Sequence, residues 1–501
     1  MKRFYLEKGR GTALEQVAAS ARAGAHGFCG GRGVCGRCRV RFASGAPLPS
    51  AADRRFFSPQ ELREGYRLAC TARPVSDCDI ELCFAAEPAA EIVTVHEAEA
   101  ADAERTARQG RAEPPENTAP ADIPPGQFCA VDLGTTTVVM QLVDRRSGAV
   151  LDTQAFRNPQ RIYGTDVLSR ISAAESGRAA ELQKCMEDAL ADGLRAMEAA
   201  GGQPDTVVVS GNTAMGHLLL GYPVDTLGKA PFQPYHIGGT RFSVAGYPAV
   251  FLPGISAFVG ADIVSGLYAC GMAADDAFTL FIDLGTNGEM AAGNRERIVC
   301  SAAAAGCAFE GGGAQAVGTD ITAAAFDLLQ SGIMDETGLL REPWFDSGCR
   351  VQGDLLLRQQ DIRNLQMAKA AICAGVSILL DETDGWERLE RVYLAGGFGY
   401  YLDVDKAAGI GLIPAALQGR CRAVGNASLA GAVRYGRYAA PLPGSGTCAG
   451  AQTKERQESR RAEREKLAHI IAVSEPVNLA EHPAFESRYI DAMAFRKMET
   501  L

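Results

Sequence analysis

Hydrophobic and polar positions alternate between residues 128 and 446 in runs that have the lengths of strands and helices. Short apolar runs bounded by glycine or polar turn residues predict strands at Phe128–Asp132, Val138–Val143, Val207–Ser210, Leu280–Asp283 and Val392–Ala395. Longer segments with apolar residues three or four positions apart predict helices at Asp166–Ala174, Ala179–Ala199 and Gln366–Leu380. Strands that alternate with helices indicate an α/β architecture.

The two ends of the chain follow different patterns. The N-terminal part predicts one strand at Arg3–Leu6, a helix that starts near Gly11, and an alternating strand at Arg39–Phe42. The C-terminal part, residues 447–501, predicts a helical extension that packs on the preceding domain. Within it, the highly charged segment Lys454–Lys466 predicts a solvated helix, and an amphipathic end follows at Phe485–Phe495.

Charge separates the N-terminal part from the rest. Residues 1–84 carry 14 Lys and Arg against 8 Asp and Glu, whereas residues 85–126 carry 3 Arg against 9 acids. Residues 85–126 are also rich in Ala, Glu and Pro, and their short apolar island is confined to Ile92, Val93 and Val95. This composition is typical of a flexible linker, with a short helix lying on a domain as the alternative.

Overall composition excludes several classes of protein. The chain has 501 residues, of which 47% are hydrophobic and 22% charged, so it can bury more than one core. Its formal net charge of -10 argues against nucleic-acid binding. No apolar run of about 18 residues predicts a membrane span, and the charged N-terminus predicts no secretory signal, so we expect a cytoplasmic protein. In that compartment, 15 cysteines indicate metal binding rather than disulfides.

Four cysteines have the spacing of an iron–sulfur site. Cys29, Cys35 and Cys38 form a C-x5-C-x2-C loop, and Cys70 follows after 31 intervening residues. Plant-type [2Fe–2S] ferredoxins use nearly this arrangement, C-x4-C-x2-C with a remote fourth ligand. Glycines at 30, 31, 33 and 36 allow the backbone to curl around a compact cluster and expose N–H groups to its sulfurs.

Zinc is the alternative metal, and inert cysteines are the third possibility. Structural zinc sites usually pair two short cysteine knuckles, whereas Cys70 has no near partner. Cys78 and Cys83 have the spacing of a strand edge, and we interpret them as bystanders. The arginines around the loop predict either an electropositive rim for an acidic partner or ordinary solvated side chains; they are Arg32, Arg37, Arg39 and Arg41.

Three glycine-rich turns follow predicted strands at long spacing. The first supplies Asp132, Gly134, Thr135, Thr136 and Thr137. The second repeats the Asp-Leu-Gly-Thr design and supplies Asp283, Gly285, Thr286, Asn287, Gly288 and Glu289. The third supplies Gly396, Gly397, Phe398 and Gly399.

These turns predict a nucleotide site. Backbone N–H groups and hydroxyls of the first two turns suit phosphate oxygens, and the aspartates Asp132 and Asp283 suit Mg²⁺ or its water. Glycines of the third turn let a flat ring or ribose approach the backbone. One such turn is a weak signal, but two copies followed by the third favour nucleotide binding over β-turns without function. A Walker phosphate loop and a dinucleotide fingerprint are both missing from the sequence.

The turns resemble the phosphate-1, phosphate-2 and adenosine motifs of the superfamily of acetate and sugar kinases, heat-shock ATPases and actin. Together with the cysteine loop, they resemble a narrower family, the ATP-dependent reductive activators of corrinoid proteins. Further segments are similar to that family: Asn158-Pro159-Gln160, Ser210-Gly211-Asn212-Thr213, Val259-Gly260-Ala261-Asp262, Phe309-Glu310-Gly311 and Val424-Gly425-Asn426.

The resemblance implies a fold in parts. It implies a β-grasp [2Fe–2S] ferredoxin-like domain at 1–84, the linker at 85–126, a two-lobed actin-like (ribonuclease H-like) ATPase domain at 127–446, and the C-terminal extension. The sequence departs from the pattern twice. A single strand precedes the first helix where a hairpin is expected, and the family's separate middle domain is expected to be reduced or absent.

The resemblance also implies a function. The protein would take an electron from an upstream donor onto a [2Fe–2S] cluster held by the four cysteines and pass it to Co(II) of a corrinoid protein, restoring Co(I) for methyl transfer. Binding or hydrolysis of ATP with Mg²⁺ would be coupled to that step, and the protein would be a homodimer. Alternatives are a redox-sensing small-molecule kinase, with His217 or Asp262 as its base, and an ATP-gated docking protein without electron transfer.

Overall fold

The computed structural model describes residues 3–20, 33, 38–83, 93–94, 123, 125–285, 287–303, 318–351, 355–440 and 454–498. The N-terminal domain has a four-stranded antiparallel sheet in the order β1-β4-β2-β3. Its elements are β1 (Arg3–Leu6), α1 (Ala13–Ser20), β2 (Arg39–Phe42), α2 (Asp53–Phe56), α3 (Pro59–Arg63), β3 (Tyr66–Leu68) and β4 (Cys78–Leu82). Among the described residues, a single strand precedes α1, as the sequence predicts.

A first lobe follows, with a six-stranded sheet in the order β7-β6-β5-β8-β10-β9. Its elements are β5 (Gln127–Leu133), β6 (Thr137–Asp144), β7 (Val150–Arg157), α4 (Val167–Ala173), α5 (Ala179–Ala199), β8 (Pro204–Gly211), α6 (Thr213–Leu220), β9 (Thr240–Val244), β10 (Tyr247–Phe251) and α7 (Ala261–Ala269). A 3-10 turn at Pro159–Ile162 and a π-helical turn at Ala174–Arg178 complete it. The predicted helix Ala179–Ala199 is confirmed at both ends.

A second lobe and the C-terminal extension complete the chain. Their strands are β11 (Phe278–Leu284), β12 (Gly288–Gly293), β13 (Ile298–Ala303), β14 (Cys349–Arg350), β15 (Leu356–Leu357), β16 (Leu389–Ala395), β17 (Cys421–Gly425) and β18 (Ser474–Pro476). Their helices are α8 (Gly318–Gln330), α9 (Trp344–Ser347), α10 (Gln359–Glu382), α11 (Gly385–Arg388), α12 (Gly396–Tyr400), α13 (Val404–Gly409), α14 (Ala427–Tyr438), α15 (Lys454–Val473) and α16 (Phe485–Asp491). The main sheet has the order β17-β16-β11-β12-β13-β18.

The two large sheets share one topology. In each lobe the first three strands form an antiparallel meander. On the other side of the first strand, two further strands follow in parallel: β8 and then β10 in the first lobe, and β16 and then β17 in the second lobe. The first strands are β5 and β11, which end in the two repeated turns. Asp132 is paired with Ser210, and Asp283 is paired with Ala395. Each aspartate therefore lies where two parallel strands end together, which is the edge of an α/β sheet that binds ligands.

Helices α7 and α14 bring the two lobes together. A Cβ atom placed on Gly431 of α14 would lie 2.2 Å from the backbone oxygen of Ser265 in α7. The same helix crosses the first sheet, because a Cβ on Gly436 would lie 2.1 Å from the ring of Phe128. Small residues thus allow the helix of the second lobe to touch the backbone and core of the first lobe.

The C-terminal extension packs on the second lobe and on α7. The Tyr268 hydroxyl donates to Glu463 of α15 at 2.6 Å, and β18 extends the second large sheet beside β13. The predicted helix at Lys454–Lys466 is confirmed, but it continues to Val473 and is not wholly solvated. Leu467 and Ile470 bury one face of it, because these apolar residues follow the charged segment at helical spacing. Within the described ranges, no helix has the length and apolarity needed to cross a bilayer.

We expect Gly431→Ala to lower the free energy of unfolding of the lobes by about 1–3 kcal/mol, because the added methyl group would overlap the backbone of Ser265. Alanine favours helix by about 1 kcal/mol over glycine, so a loss of stability would report the clash. Urea unfolding measures the change. Gly239→Ala is the control, since its Cβ would have no neighbour closer than 3.6 Å; equal stability of the two variants would contradict the packing argument.

Candidate functional site

The N-terminal domain brings two of the four predicted cluster ligands together. The Ala69 N–H donates to the Cys38 carbonyl at 2.7 Å, which extends the pairing of β2 with β3 and places Cys70 beside Cys38. Both cysteines are buried in the core of this domain. Cys29 and Cys35 lie outside the described residues. Cys38 and Cys70, the two predicted ligands among the described residues, are therefore neighbours at one end of the sheet.

Gly33 connects the predicted cluster loop to this end of the sheet. Its φ is +69°, and a Cβ there would lie 2.9 Å from side-chain atoms of both Ala52 and Thr71. Thr71 directly follows Cys70, so the loop that carries the other cysteines approaches the remote ligand at this glycine. The left-handed backbone and the lack of space both require glycine at this position.

Two of the four arginines around the predicted loop, Arg39 and Arg41, lie in the described part of the chain. Arg39 lies 5.1 Å from the centre of the Phe57 ring, and Arg41 lies 3.8 Å from Glu81. Both contact their own domain. Arg32 and Arg37 lie outside the described residues. Cys78 is buried in β4, where burial raises the pKa of its thiol, whereas Cys83 at the end of that strand is half-buried.

Four carboxyl groups, of which Glu289 is buried and three aspartates are half-buried, form the electrostatic centre of the two lobes. Asp132 ends β5, Asp262 lies in the first turn of α7, and Asp283 lies in β11 directly opposite Glu289 of β12. Burial, reinforced by the charge of Asp132, raises the pKa of Asp262 to about 7. Burial and the charges of Asp262 and Asp132 raise the pKa of Asp283 to about 8. Burial and the charges of Asp262 and Asp283 raise the pKa of Glu289 well above its ordinary value.

This centre suits a cation that brings some of its own ligands. In the described part of the chain, no three acidic, histidine or cysteine side chains are close enough together to form a metal cage. Mg²⁺ usually binds to one or two carboxylates and keeps water molecules or phosphate oxygens as its remaining ligands. The spacing of these carboxyl groups is therefore compatible with a magnesium–phosphate complex, whose charge would favour their ionised forms.

Asp132 is held by residues from the other lobe. Its two carboxylate oxygens accept hydrogen bonds from the Asn426 amide at 2.8 Å and from the Ser428 hydroxyl at 2.7 Å. The Ser428 hydroxyl lies 3.0 Å from that of Ser210, which lies 2.9 Å from that of Ser265. Burial raises the pKa of Asp132, while the bonds from Ser428 and Asn426 lower it. Sequence reasoning placed Asn426 in a similar segment but gave no role to it or to Ser428.

The first glycine-rich turn is braced from three sides. The Thr135 hydroxyl accepts from the Asn212 amide at 2.8 Å, and its carbonyl accepts from Arg170 at 2.6 Å. The Asn158 side chain donates to the Gly134 carbonyl at 2.8 Å, and its backbone N–H donates to the Thr136 carbonyl at the same distance. Thr137 then begins β6. These bonds hold the turn in one shape, which favours repeated binding of one ligand geometry.

The second and third turns meet at Asp283. The Gly285 N–H donates to the Asn287 carbonyl at 3.1 Å, and the Asn287 amide donates to Glu289 at 3.1 Å. Gly288 begins β12, and Thr286 lies outside the described residues. Gly396 has φ +81°, and a Cβ there would lie 2.4 Å from a carboxylate oxygen of Asp283. Gly397, Phe398 and Gly399 continue into α12 from this contact. The three predicted turns therefore converge through Asp132 and Asp283.

His217 lies apart from this centre as a satisfied residue of α6. Its Nδ1 atom lies 2.7 Å from the Thr213 carbonyl, and its Nε2 atom lies 3.4 Å from the His236 N–H. Burial lowers the pKa of His217. Both ring nitrogens thus have backbone partners, as expected of a core histidine, whereas Asp262 joins the carboxylate centre.

Three family models match the chain. The RACo middle region matches residues 128–275, and the C-terminal domain of RACo, the ASKHA domain, matches residues 277–331 and 317–438. A 2Fe-2S iron-sulfur cluster binding domain matches residues 2–75. The chain belongs to the RACo family. The match at 128–275 corrects the expectation that the middle region is reduced or absent, because in this RACo-family chain that region is the first lobe itself.

Relatives support the same assignment. The chain is 30% identical over 378 residues to the corrinoid activation enzyme RamQ of Eubacterium limosum, a match that covers 61% of this chain and 63% of that protein's length. A solved structure of a reductive activator for corrinoid,iron-sulfur protein shares its fold with a TM-score of 0.63 at 24% identity, covering 98% and 96% of the two chains. One component of the Na(+)-translocating NADH-quinone reductase of Chlamydia felis is 37% identical over 54 residues, 11% of this chain and 12% of that protein.

The family assignment and the fold likeness confirm the predicted architecture. The chain combines an N-terminal 2Fe-2S ferredoxin domain with an actin-like ATPase domain in a mixed α/β fold. The boundaries of the domains and the roles of individual site residues stay predictions.

We expect Asp283→Asn to raise the thermal midpoint Tm of the RACo-family chain by a few degrees at pH 8 without nucleotide or divalent cation. Asp283 has a folded-state pKa of about 8, far above the ordinary 3.8, so the folded state loses stability as pH rises from about 4 to about 8. The neutral amide avoids this loss. Differential scanning fluorimetry at pH 5 and pH 8 should show a smaller gain at pH 5.

The exposed carboxylate of Asp346 in α9 provides the matched control. Asp346→Asn should leave Tm unchanged at both pH values. A Tm for Asp283→Asn below that of the wild type at pH 8 would contradict the buried-charge interpretation.

Proposed function

We propose that this protein reactivates a corrinoid protein by delivering one electron to Co(II), which becomes Co(I), and that ATP drives this delivery. The observation that carries the proposal is the presence in one chain of the Cys38–Cys70 pair in a ferredoxin domain and of the two-lobed carboxylate centre. A ferredoxin domain alone offers no use of ATP, and an ATPase domain alone offers no electron. Corrinoid activation is also the activity for which the relative RamQ is named.

The cysteine residues fit the cluster that the family implies. Cys29, Cys35, Cys38 and Cys70 would hold it, and Gly33 lets the loop approach the remote ligand. When bound, the [2Fe–2S] cluster supplies a one-electron carrier with a potential near about -400 mV in plant-type ferredoxins. Burial of Cys38 and Cys70 in an apolar core keeps water from the sulfurs on that side. A low-potential one-electron donor would supply each electron that Co(II) receives.

The nucleotide would lie across the junction of the two lobes. Residues 134–137 and 285–288 would hold its phosphates, and residues 396–399 would face its adenosine. Asp132 and Asp283 would act as the catalytic carboxylates that position Mg²⁺ and the attacking water, with Glu289 and Asp262 beside them. Binding of the cation favours the ionised carboxylates, because it replaces their mutual repulsion by attraction.

Coupling requires a difference in binding free energy between nucleotide states. Moving one electron against 100 mV costs about 2.3 kcal/mol. A nucleotide that favours one arrangement of the lobes about 50-fold supplies that amount. We propose that the ATP-bound arrangement binds the Co(II) corrinoid protein, and that the protein works as a cytoplasmic homodimer.

We expect Cys70→Ser to abolish the visible and EPR signals of a [2Fe–2S] cluster and to stop Co(I) formation, while ATP turnover stays within about twofold of wild type. The physical reason is that a hydroxyl replaces one thiolate ligand whereas the carboxylate centre is in another domain. Absorbance of the corrinoid protein measures the Co(II)-to-Co(I) change. Cys83→Ser is the control in the same domain; equal loss in both variants would contradict the ligand assignment.

We expect Asp132→Asn to spare the cluster spectrum and to lower ATP-dependent Co(I) formation by about 100-fold, because a misplaced nucleotide loses that much. The amide keeps the planar shape and one acceptor oxygen, but it removes the charge and replaces the other acceptor of the bonds from Asn426 and Ser428 by a donor. Asp188→Asn, on the exposed face of α5, should be silent. Cobalt reduction at the wild-type rate in Asp132→Asn would remove Asp132 from the nucleotide site.

A further inference from the structure

Val93 and Thr94 of the predicted linker lie at the junction of the two lobes, which is the proposed nucleotide site and is called the nucleotide cleft below. The Thr94 carbonyl accepts a hydrogen bond from the Gln141 amide of β6 at 2.9 Å, and the Val93 carbonyl lies 3.5 Å from the Asn426 amide that precedes α14. Val93 is only 7% exposed. Because β6 belongs to the first lobe and Asn426 to the second, this dipeptide touches both lobes at their junction.

Both lobes meet the dipeptide through parts of the proposed site. A Cβ on Gly397 would lie 3.8 Å from a methyl group of Val93, so the valine covers the face of the third glycine-rich turn. That turn is the one proposed for adenosine, where glycine leaves space for a ring or ribose. The Asn426 amide that reaches towards Val93 also donates to Asp132 at 2.8 Å. Val93 therefore occupies space beside Gly397 that a nucleotide would need.

The sequence and charge around Val93 indicate that this segment and a nucleotide compete for the cleft. Val93 belongs to the short apolar island Ile92, Val93 and Val95 in an acidic stretch, and burial of its side chain between the lobes stabilises this position. Residues 85–126 carry 9 acids against 3 Arg. A triphosphate and an acidic segment repel each other, so the two are expected to compete for the cleft rather than to bind together.

We propose that Val93-Thr94 is a latch on the nucleotide cleft, which ATP displaces and thereby frees the ferredoxin domain to move. The latch rests on the proposed function, since it assumes that the cleft binds ATP. Leu82, which ends β4, is 11 residues from Val93 and 45 residues from Gln127 at the start of β5. At about 3.5 Å per residue, the segment between the ferredoxin domain and its attachment spans at most about 40 Å with the latch docked and about 160 Å with it released.

Competition is reciprocal, so weakening the latch must strengthen nucleotide binding. In the full-length protein, Val93→Asp should lower the Kd for the non-hydrolysable analogue Mg-AMPPNP about tenfold, which corresponds to about 1.4 kcal/mol. Gln141→Met, which removes the hydrogen bond from the opposite side, should lower it in the same direction. Thr94→Ala is the matched control, because Thr94 is held through its backbone carbonyl. The Kd of this variant for Mg-AMPPNP should equal that of the wild type.

Isothermal titration calorimetry measures these affinities, and hydrogen exchange of the amides near residue 93 gives an independent readout. Mg-AMPPNP should speed exchange there in the wild type. An unchanged or higher Kd in both Val93→Asp and Gln141→Met, or slower exchange on binding, would overturn the latch and make the dipeptide a wall of the site. Failure of wild type and variants alike to bind the analogue would overturn the proposed function and the latch with it.

Discussion

Partial burial of several carboxyl groups close together is the constraint on which the two-lobed part of this protein depends. Burial raises the pKa values of Asp132, Asp262 and Asp283, and the charge of Asp132 raises those of the other two further. A fold with this arrangement sacrifices stability unless a cation and its ligand enter. Each aspartate is placed by a rigid strand or helix end, so the group cannot relax by moving apart. The unfavourable free energy of these partly buried carboxylates is therefore fixed by the ends of regular strands and a helix rather than by a loop.

Repetition of one sheet topology explains how that arrangement arises. Each lobe ends its first strand in the same turn, and the parallel neighbour of that strand ends beside it. Two such edges facing each other leave a cleft with an aspartate on each side. Asn426 and Ser428 then tie the aspartate of the first lobe to the second lobe. A movement of one lobe relative to the other would therefore change the lengths of the hydrogen bonds that Asp132 accepts.

Local patterns predicted seven of the strands, among them the two that end in the repeated turns, because period and turn chemistry are local properties. They placed the start of α10 seven residues late, since its polar first turn is fixed by the capping contact between Arg358 and Asp361. They gave no role to Ser428, whose partner Asp132 is 296 residues away. The cysteine spacing grouped Cys38 with Cys70, and the hydrogen bond from Ala69 to the Cys38 carbonyl is consistent with that grouping, although the ligand roles stay predictions. The first lobe was not recognised as the middle region because its strands resemble those of the second.

Asn426 lies between the carboxylate of Asp132 and the backbone carbonyl of Val93. One amide nitrogen donates to Asp132 at 2.8 Å and lies 3.5 Å from the Val93 carbonyl, so it responds to both. If a cation bound at Asp132, the carboxylate would accept the hydrogen bond from Asn426 more weakly. The amide would then be able to reorient, which would change its contact with the Val93 carbonyl. Under the proposed latch, this one side chain would connect occupancy of the carboxylate centre with attachment of Val93-Thr94, with no rearrangement of either sheet.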